Sequence, residues 1–233
     1  MVVPTVSQVN RAGKTLRHLM RDLPASPGEQ FGKALDVVLA FRALHQYPLT
    51  TANMGLRSIV KTVGCDGPEI SQRLKRVPTI LDKLGREPTL ALANMQDIGG
   101  CRAVLQSGDE VRRVEKRLVS HGRVERKSDY IAKPKDSGYR GVHLIVIYHE
   151  RRIEIQLRTH AMHEWAVTVE ALSGAIGRDV KSGAGPDGVQ DLMRVISQAM
   201  ALEEQGIRVD DELVDEMSRL RSVAAPFLRR GSR

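Results

Sequence analysis

Two neighbouring stretches alternate apolar and polar residues with a period of two. Val142, Leu144, Val146 and Tyr148 are interleaved with His143, Ile145, Ile147 and His149, and Ile153, Ile155 and Leu157 with Arg152, Glu154, Gln156 and Arg158. This is the alternation of half-buried strands. With Glu150 and Arg151 as a two-residue hairpin turn, Leu144 falls opposite Leu157 and Val146 opposite Ile155, which gives one dry face. The other face then pairs His143 with Arg158, Ile145 with Gln156 and Ile147 with Glu154. Such a polar face is either the floor of a ligand pocket or a solvated sheet surface.

Helical spacing governs most of the remaining chain. Residues 5 to 23 and 29 to 46 read as helices, the second through Phe31, Leu35, Val38, Leu39 and Leu44, with Pro24, Pro27 and Pro48 as punctuation. A third helix is expected from Thr51 to Val63, ending at Gly64; by themselves these three read as packing or oligomer elements. Between 69 and 86, an extended Arg73-Leu74-Lys75 segment turns both cations the same way, and Pro78 opens a helix that Gly85 closes. A short strand at Cys101 to Leu105 is followed by an amphipathic helix over 107 to 121, with Val111, Val114 and Leu118 inward, and by a strand near Val124 to Ile131. His160 to Ser173 reads as a helix with Met162, Trp165, Ala166 and Val169 on one side. Two further helices are expected over 189 to 205 and 210 to 223, with Leu192, Val195, Ile196, Ala199 and Leu202 inward. The Gly- and Ser-rich stretch 174 to 188 predicts a mobile connector, and Arg229 to Arg233 a frayed tail.

Composition narrows the class of partner. Apolar residues make up 41% of the 233, enough for a folded core, and 36 Lys and Arg against 28 Asp and Glu leave a net charge of +8. That balance suits polyanionic partners such as nucleotides or RNA, although a basic solvated surface gives the same count. Aromatics are only 3%, which excludes a broad stacking platform for single-stranded RNA. Cys65 and Cys101 are too few for a disulfide framework and lack metal-ligand spacing, so they read as buried thiols in a reducing compartment. No run approaches the 18 apolar residues of a membrane span and no secretory leader opens the chain, so a cytoplasmic location is expected.

The chemistry-bearing residues lie in three places. The loop Lys133-Pro134-Lys135-Asp136-Ser137-Gly138-Tyr139-Arg140-Gly141 combines cations that can meet phosphate, glycines that let a backbone approach a ligand, and Tyr139, which can stack on a base. Asp97 precedes Ile98-Gly99-Gly100, a common turn, but also a carboxylate at a strand edge with room beside it for hydrated Mg²⁺ and phosphate oxygens. His160 and His163 lack the order of a helical zinc motif and have no third ligand in register.

Asp97-Ile98-Gly99-Gly100-Cys101-Arg102, then Asp129 to His143, then Glu154-Ile155-Gln156-Leu157-Arg158-Thr159 together resemble the synthetase domain of the RelA/SpoT family of alarmone synthetases, over roughly residues 70 to 175. The resemblance implies an α+β fold, a nucleotidyltransferase-like mixed β-sheet flanked by helices, with a synthetase core at 69–175, an N-terminal helical region at 1–68 and a C-terminal helical extension at 176–233. It implies transfer of pyrophosphate from ATP to the 3′-hydroxyl of GDP or GTP, giving ppGpp or pppGpp and AMP. Asp97 and Glu154 would hold Mg²⁺, and Glu154 would also orient or deprotonate the hydroxyl. Arg73, Lys75, Lys83 and Arg102 would grip the donor ATP; Lys135, Tyr139, His143 and Gln156 would form the acceptor pocket, with Tyr139 on the guanine. Many members carry Asn before the Gly-Tyr of the loop; Ser137 stands there in this chain, and one hydroxyl cannot offer both an amide donor and a carbonyl acceptor. Two other readings therefore stay open: a toxin-like transfer to the 3′ end of tRNA, with an antitoxin as partner, and an inactive nucleotide- or RNA-binding regulator. The spare terminal helices leave self-association open as well. None of the seven histidines precedes an Asp, so synthesis without the His-Asp hydrolase half of long family members is expected.

Overall fold

The structure, a computed structural model, describes residues 3 to 21 and 28 to 228, apart from the side chains of residues 182 and 228. Pro24, Pro27 and the 229–233 tail lie outside the described residues. Helices α1 (Val6–Arg21), α2 (Glu29–Ala43) and α3 (Gln46–Thr62) lead into β1 (Glu69–Leu74) and α4 (Val77–Arg86). Then come β2 (Gly99–Leu105), α5 (Gly108–Ser120), β3 (Val124–Asp129), β4 (Val142–Tyr148) and β5 (Arg151–Thr159), and the chain continues through α6 (His160–Ile176), α7 (Asp187–Glu204) and α8 (Asp211–Leu228). Pro48 lies in the first turn of α3, where its missing N–H would have no helical partner, so it lies within the helix start rather than ahead of it. Ser107 and Thr159 cap α5 and α6 by accepting from the backbone N–H groups of Glu110 and Met162, which fixes where two strands hand over to helices.

The five strands form one mixed sheet in the order β1-β2-β5-β4-β3, parallel only between β2 and β5. The β4–β5 register departs from the sequence expectation. Val142 pairs with Leu157, His143 with Gln156, Leu144 with Ile155 and Ile145 with Glu154. The turn is His149-Glu150, both in left-handed backbone at φ 46° and 61°, without the glycine or asparagine that usually marks such a turn. The Tyr47 ring, 4.6 Å from the His149 imidazole, packs against it. The shift is two residues, so no side chain changes face. A shift of one would have exposed Leu144, Ile155 and Leu157, all wholly buried and each stabilising by about 1.5–3 kcal/mol. Hydrophobic pattern thus dictates the face strongly and the partner weakly.

The dry face packs on α3 and α5, where Leu49, Leu56, Val60, Val111, Val114 and Leu118 meet the inward rows of β2, β4 and β5. Gly99 belongs to this face: a β-carbon there would meet Ile153, Leu49 and His45, so its bareness serves close packing with α3 rather than a ligand. Cys101 is buried on the same face, and burial pushes its thiol up to about 12; Cys65 is half-buried and also free. A second cluster joins α1 and α2 to α4 and the 92–98 segment, and a third joins α6, α7 and α8. These two flank the opposite face of the sheet and leave its centre open. No helix among the described residues is long and apolar enough to cross a membrane.

Candidate active site

A cleft of about 500 Å³ occupies the open sheet face. Period-two alternation sends Arg73 of β1, Arg102 of β2, His143 of β4, and Glu154, Gln156 and Arg158 of β5 into it, while α4 adds Lys83. Nine of the ten residues named from sequence line this one cavity: Arg73, Lys75, Lys83, Asp97 and Arg102 together with Lys135, His143, Glu154 and Gln156. Gly100 lines it too, opposite Glu154 in the β2–β5 register, and provides the room expected beside Asp97.

Asp97 is held by two lysines. Lys75 Nζ donates to Oδ2 at 2.7 Å and Lys83 Nζ to Oδ1 at 3.1 Å. Burial alone would raise its pKa, but the Lys75 and Lys83 ammonium groups outweigh that and hold it below its ordinary value. Lys83 also lies close enough to Glu154 to help lower it, so the two acids face the same cation.

Farther along the cleft the balance is cationic. Burial, then the nearby Arg158 and Arg73 guanidinium groups, depress Arg102, whose Nε is buried without a hydrogen-bond partner. Burial and Arg158 likewise depress Lys181, which pairs with Glu170 at 2.5 Å. Like charges crowded in a part-buried site, with a donor unsatisfied, are poised for an anion.

Glu154 lies at the centre of the polar network. Burial would raise it, yet the His143 imidazole, with Nδ1 2.9 Å from Oε1, and the Gln156 amide, with Nε2 2.6 Å from Oε2, bring it down to about 2. Gln156 is committed at both ends, since its Oε1 accepts from Arg158 Nη2 at 2.7 Å.

Tyr139 does not take the place expected of it. Its ring is 1% exposed and packs against Trp165 and Tyr130 at centroid distances of 6.2 and 5.8 Å. Its hydroxyl lies 2.5 Å from His143 Nε2 and accepts from Arg158 Nε at 3.2 Å. Burial raises the phenol to about 12. The cause lies in the loop glycine before it. Gly138 has φ +90°, and a β-carbon there would stand 2.8 Å from the Arg194 Cα of α7, whose Ser197 hydroxyl donates to the Gly138 carbonyl at 2.5 Å. The glycine brings the loop against a helix, not against a ligand, and the tyrosine follows it inward. Ser137 is buried as well and does not line the cleft.

The ring that does face the cavity is Tyr130, with Lys135 Nζ 4.6 Å from its centroid. In sequence Tyr130 stands at the end of a strand with no glycine beside it, and nothing there separates a cleft-facing ring from a packing one. Arg158, Glu170 and Lys181 were also missed. Lys181 belongs to the connector expected to be mobile, yet Val180 beside it is wholly buried, its N–H donates to Ser173 Oγ, and Arg86 of α4 reaches Asp179 at 2.8 Å. The connector forms a wall of the cleft.

A mixed sheet whose bare face holds two carboxylates among converging Arg and Lys side chains defines a polyphosphate-handling transferase. A family profile described as "Region found in RelA / SpoT proteins" matches residues 72–173. The chain is 31% identical over 173 residues to GTP pyrophosphokinase YjbM of Bacillus subtilis (strain 168), covering 69% of this chain and 77% of that protein. The small alarmone synthetase 1 of Bacillus subtilis, in a crystal structure bound to its product pppGpp, superposes with a TM-score of 0.60 at 27% identity, over 79% of this chain and 96% of that one. A GTP pyrophosphokinase family protein from Streptococcus pneumoniae shares the fold with a TM-score of 0.61 at 24% identity, over 82% and 95%. The chain belongs to the RelA/SpoT family.

Proposed function

We propose that this chain transfers the pyrophosphoryl group of ATP to the 3′-hydroxyl of GDP or GTP, giving ppGpp or pppGpp and AMP. The observation that carries the reading is the joining of Asp97 and Glu154 in one cleft that is also lined by Arg73, Lys75, Lys83, Arg102 and Lys135. A bond forms between the 3′-oxygen and the β-phosphorus of ATP, the bond from the β-phosphorus to the oxygen bridging it to the α-phosphorus breaks, AMP leaves with that oxygen, and the hydroxyl proton is released to water. Lys75 and Lys83, which neutralise Asp97 in the free protein, are placed to turn to the donor phosphates with Arg73 and Arg102. Lys135 and Tyr130 both line the cleft, which supports assigning them to the acceptor, with the Tyr130 ring as the one open to a nucleobase. A carboxylate as acidic as Glu154 is a weak proton acceptor at neutral pH, which favours orienting the 3′-hydroxyl over deprotonating it.

The donor set fits Mg²⁺. Asp97 and Glu154 supply hard oxygens, and the described residues contain no group of three or more His, Cys, Asp or Glu able to cage a metal. That is the pattern of an ion held by one or two carboxylates and completed by substrate phosphates and water. When bound, the ion would neutralise phosphate charge. Residues 69–175 carry nearly all of these groups, with helices α1 to α3 before them and α7 and α8 after them, and ATP with GDP or GTP as substrates supports a cytoplasmic location.

The test is product analysis after incubation with Mg²⁺, radiolabelled ATP and, separately, GDP, GTP or deacylated tRNA. Label in ppGpp or pppGpp with an equal amount of AMP is expected. Label in tRNA, or no AMP from any mixture, contradicts the proposal.

A further inference from the structure

The loop between β3 and β4 carries Tyr130 and Lys135 into the cleft, and its first turn is held from the far side of the sheet. Asp129, the last residue of β3, pairs with Val142 of β4. Opposed residues of a ladder share a face, and Val142 belongs to the dry face, packed with Val111, Val114 and Leu118 of α5. Asp129 therefore points to the α5 side, and Tyr130, the next residue, to the cleft. Arg112 of α5 meets the carboxylate with two donors, Nη1 to Oδ2 at 2.6 Å and Nη2 to Oδ1 at 3.2 Å. Oδ1 also accepts from the backbone N–H groups of Ile131 and Ala132 at 3.1 and 3.0 Å, and the Lys133 N–H donates to the Asp129 carbonyl at 3.1 Å. The Tyr130 N–H closes the neck of the loop on the Gly141 carbonyl at 2.9 Å. Burial would raise the Asp129 carboxyl, but Arg112 and the two backbone donors hold it below its ordinary value. Arg112 is itself oriented from behind: Glu115 Oε2 accepts from the same Nη1 at 2.7 Å, and Glu115 Oε1 accepts from Lys127 of β3 at 2.8 Å.

We infer that Arg112 is a positioning residue for the acceptor nucleotide: its forked pair with Asp129 sets the turn from which Tyr130 and Lys135 reach the cleft, although Arg112 lies on the opposite side of the sheet. A two-point grip fixes direction as well as distance, so the turn cannot pivot about a single contact. The effect is confined to one substrate. Arg73, Lys75, Lys83 and Arg102 lie on or beside β1, α4 and β2, at the other end of the strand order from β3, and none of them depends on this turn. The inference rests on the pyrophosphate-transfer reading, which assigns Lys135 and Tyr130 to the acceptor.

Arg112→Met keeps an unbranched stem and removes the fork. Steady-state kinetics should show KM for GDP raised about five- to tenfold, with KM for ATP within about twofold and kcat within about threefold of wild type. Asp129→Asn keeps an oxygen for the two backbone N–H groups and loses the charge that Arg112 meets; it should show the same rise, and the double variant no more than either alone. Arg112→Lys keeps the charge without the fork and should fall between. Lys127→Met breaks the neighbouring pair with Glu115 without touching Asp129, and should keep the wild-type KM for both nucleotides. Thermal melts establish that each variant is folded; with Arg112→Met unfolded, Asp129→Asn decides. A wild-type KM for GDP in the Arg112 and Asp129 variants, an equal rise for ATP, or the same rise in Lys127→Met overturns the inference. The wild-type product assay run alongside distinguishes the failures. Absence of ppGpp there removes the function itself, whereas ppGpp formation with an unchanged KM for GDP in the variants removes only the positioning role.

Discussion

Gly138→Ala decides between two explanations of the loop glycine. The residue has φ +90°, and an added β-carbon would lie 2.8 Å from Arg194 Cα, 3.1 Å from Ser197 Cβ and 3.3 Å from the Met193 carbonyl oxygen. Left-handed backbone costs a residue with a β-carbon about 1–2 kcal/mol. The contact adds about 1–3 kcal/mol, because two of its three neighbours are helix backbone that cannot rotate away. The sum, about 2–5 kcal/mol, corresponds to a Tm lower by roughly 10 °C for a domain of this size. Gly206→Ala is the control, since it shares positive φ, +70°, but has nothing within 4 Å, and should lose only the conformational part. Differential scanning fluorimetry of both variants measures the difference. If the glycine serves ligand approach instead, Gly138→Ala melts like Gly206→Ala and its defect shows only in KM, which would refute the packing argument.

Lys181→Met should raise the KM for a nucleotide substrate several-fold while Lys181→Arg largely restores it; equal KM in wild type and Lys181→Met would remove the connector from the binding surface. Asp97 and Glu154 both titrate below their ordinary values, so their ionised forms stabilise the fold fully above the unfolded pKa of about 4. That contribution is lost as pH falls through the folded values, about 2 for Glu154. Tm should accordingly fall more steeply between about pH 4 and 2 in wild type than in Asp97→Asn, which is less stable at neutral pH but flatter in acid; parallel curves would contradict this.

Much of the cleft was legible because alternation assigns a face before it assigns a partner. Arg73, Arg102, His143, Glu154 and Gln156 could be placed together from spacing and the three motif blocks, and a two-residue error in the hairpin left that intact. The error arose because His149-Glu150 adopts a turn without the glycine that would have marked it. Tyr139 was misread for a different reason. Its loop has a composition suited to phosphate, but what buries it comes from α6 and α7, some 26 to 58 residues later, through Trp165 and Ser197. Local composition carries no trace of such a contact. The connector failed likewise: Gly and Ser content suggested mobility, while one buried Val180 and the Arg86–Asp179 pair hold it in place.

Glu154→Gln tests the central claim most directly. The amide keeps the size of the side chain and removes the charge on which the His143 imidazole and the Gln156 amide converge, with Arg158 behind Gln156. Formation of ppGpp and AMP should fall by at least about 10²-fold, while calorimetric titration shows ATP and GDP binding within a few-fold of wild type. Turnover at the wild-type rate would contradict the account.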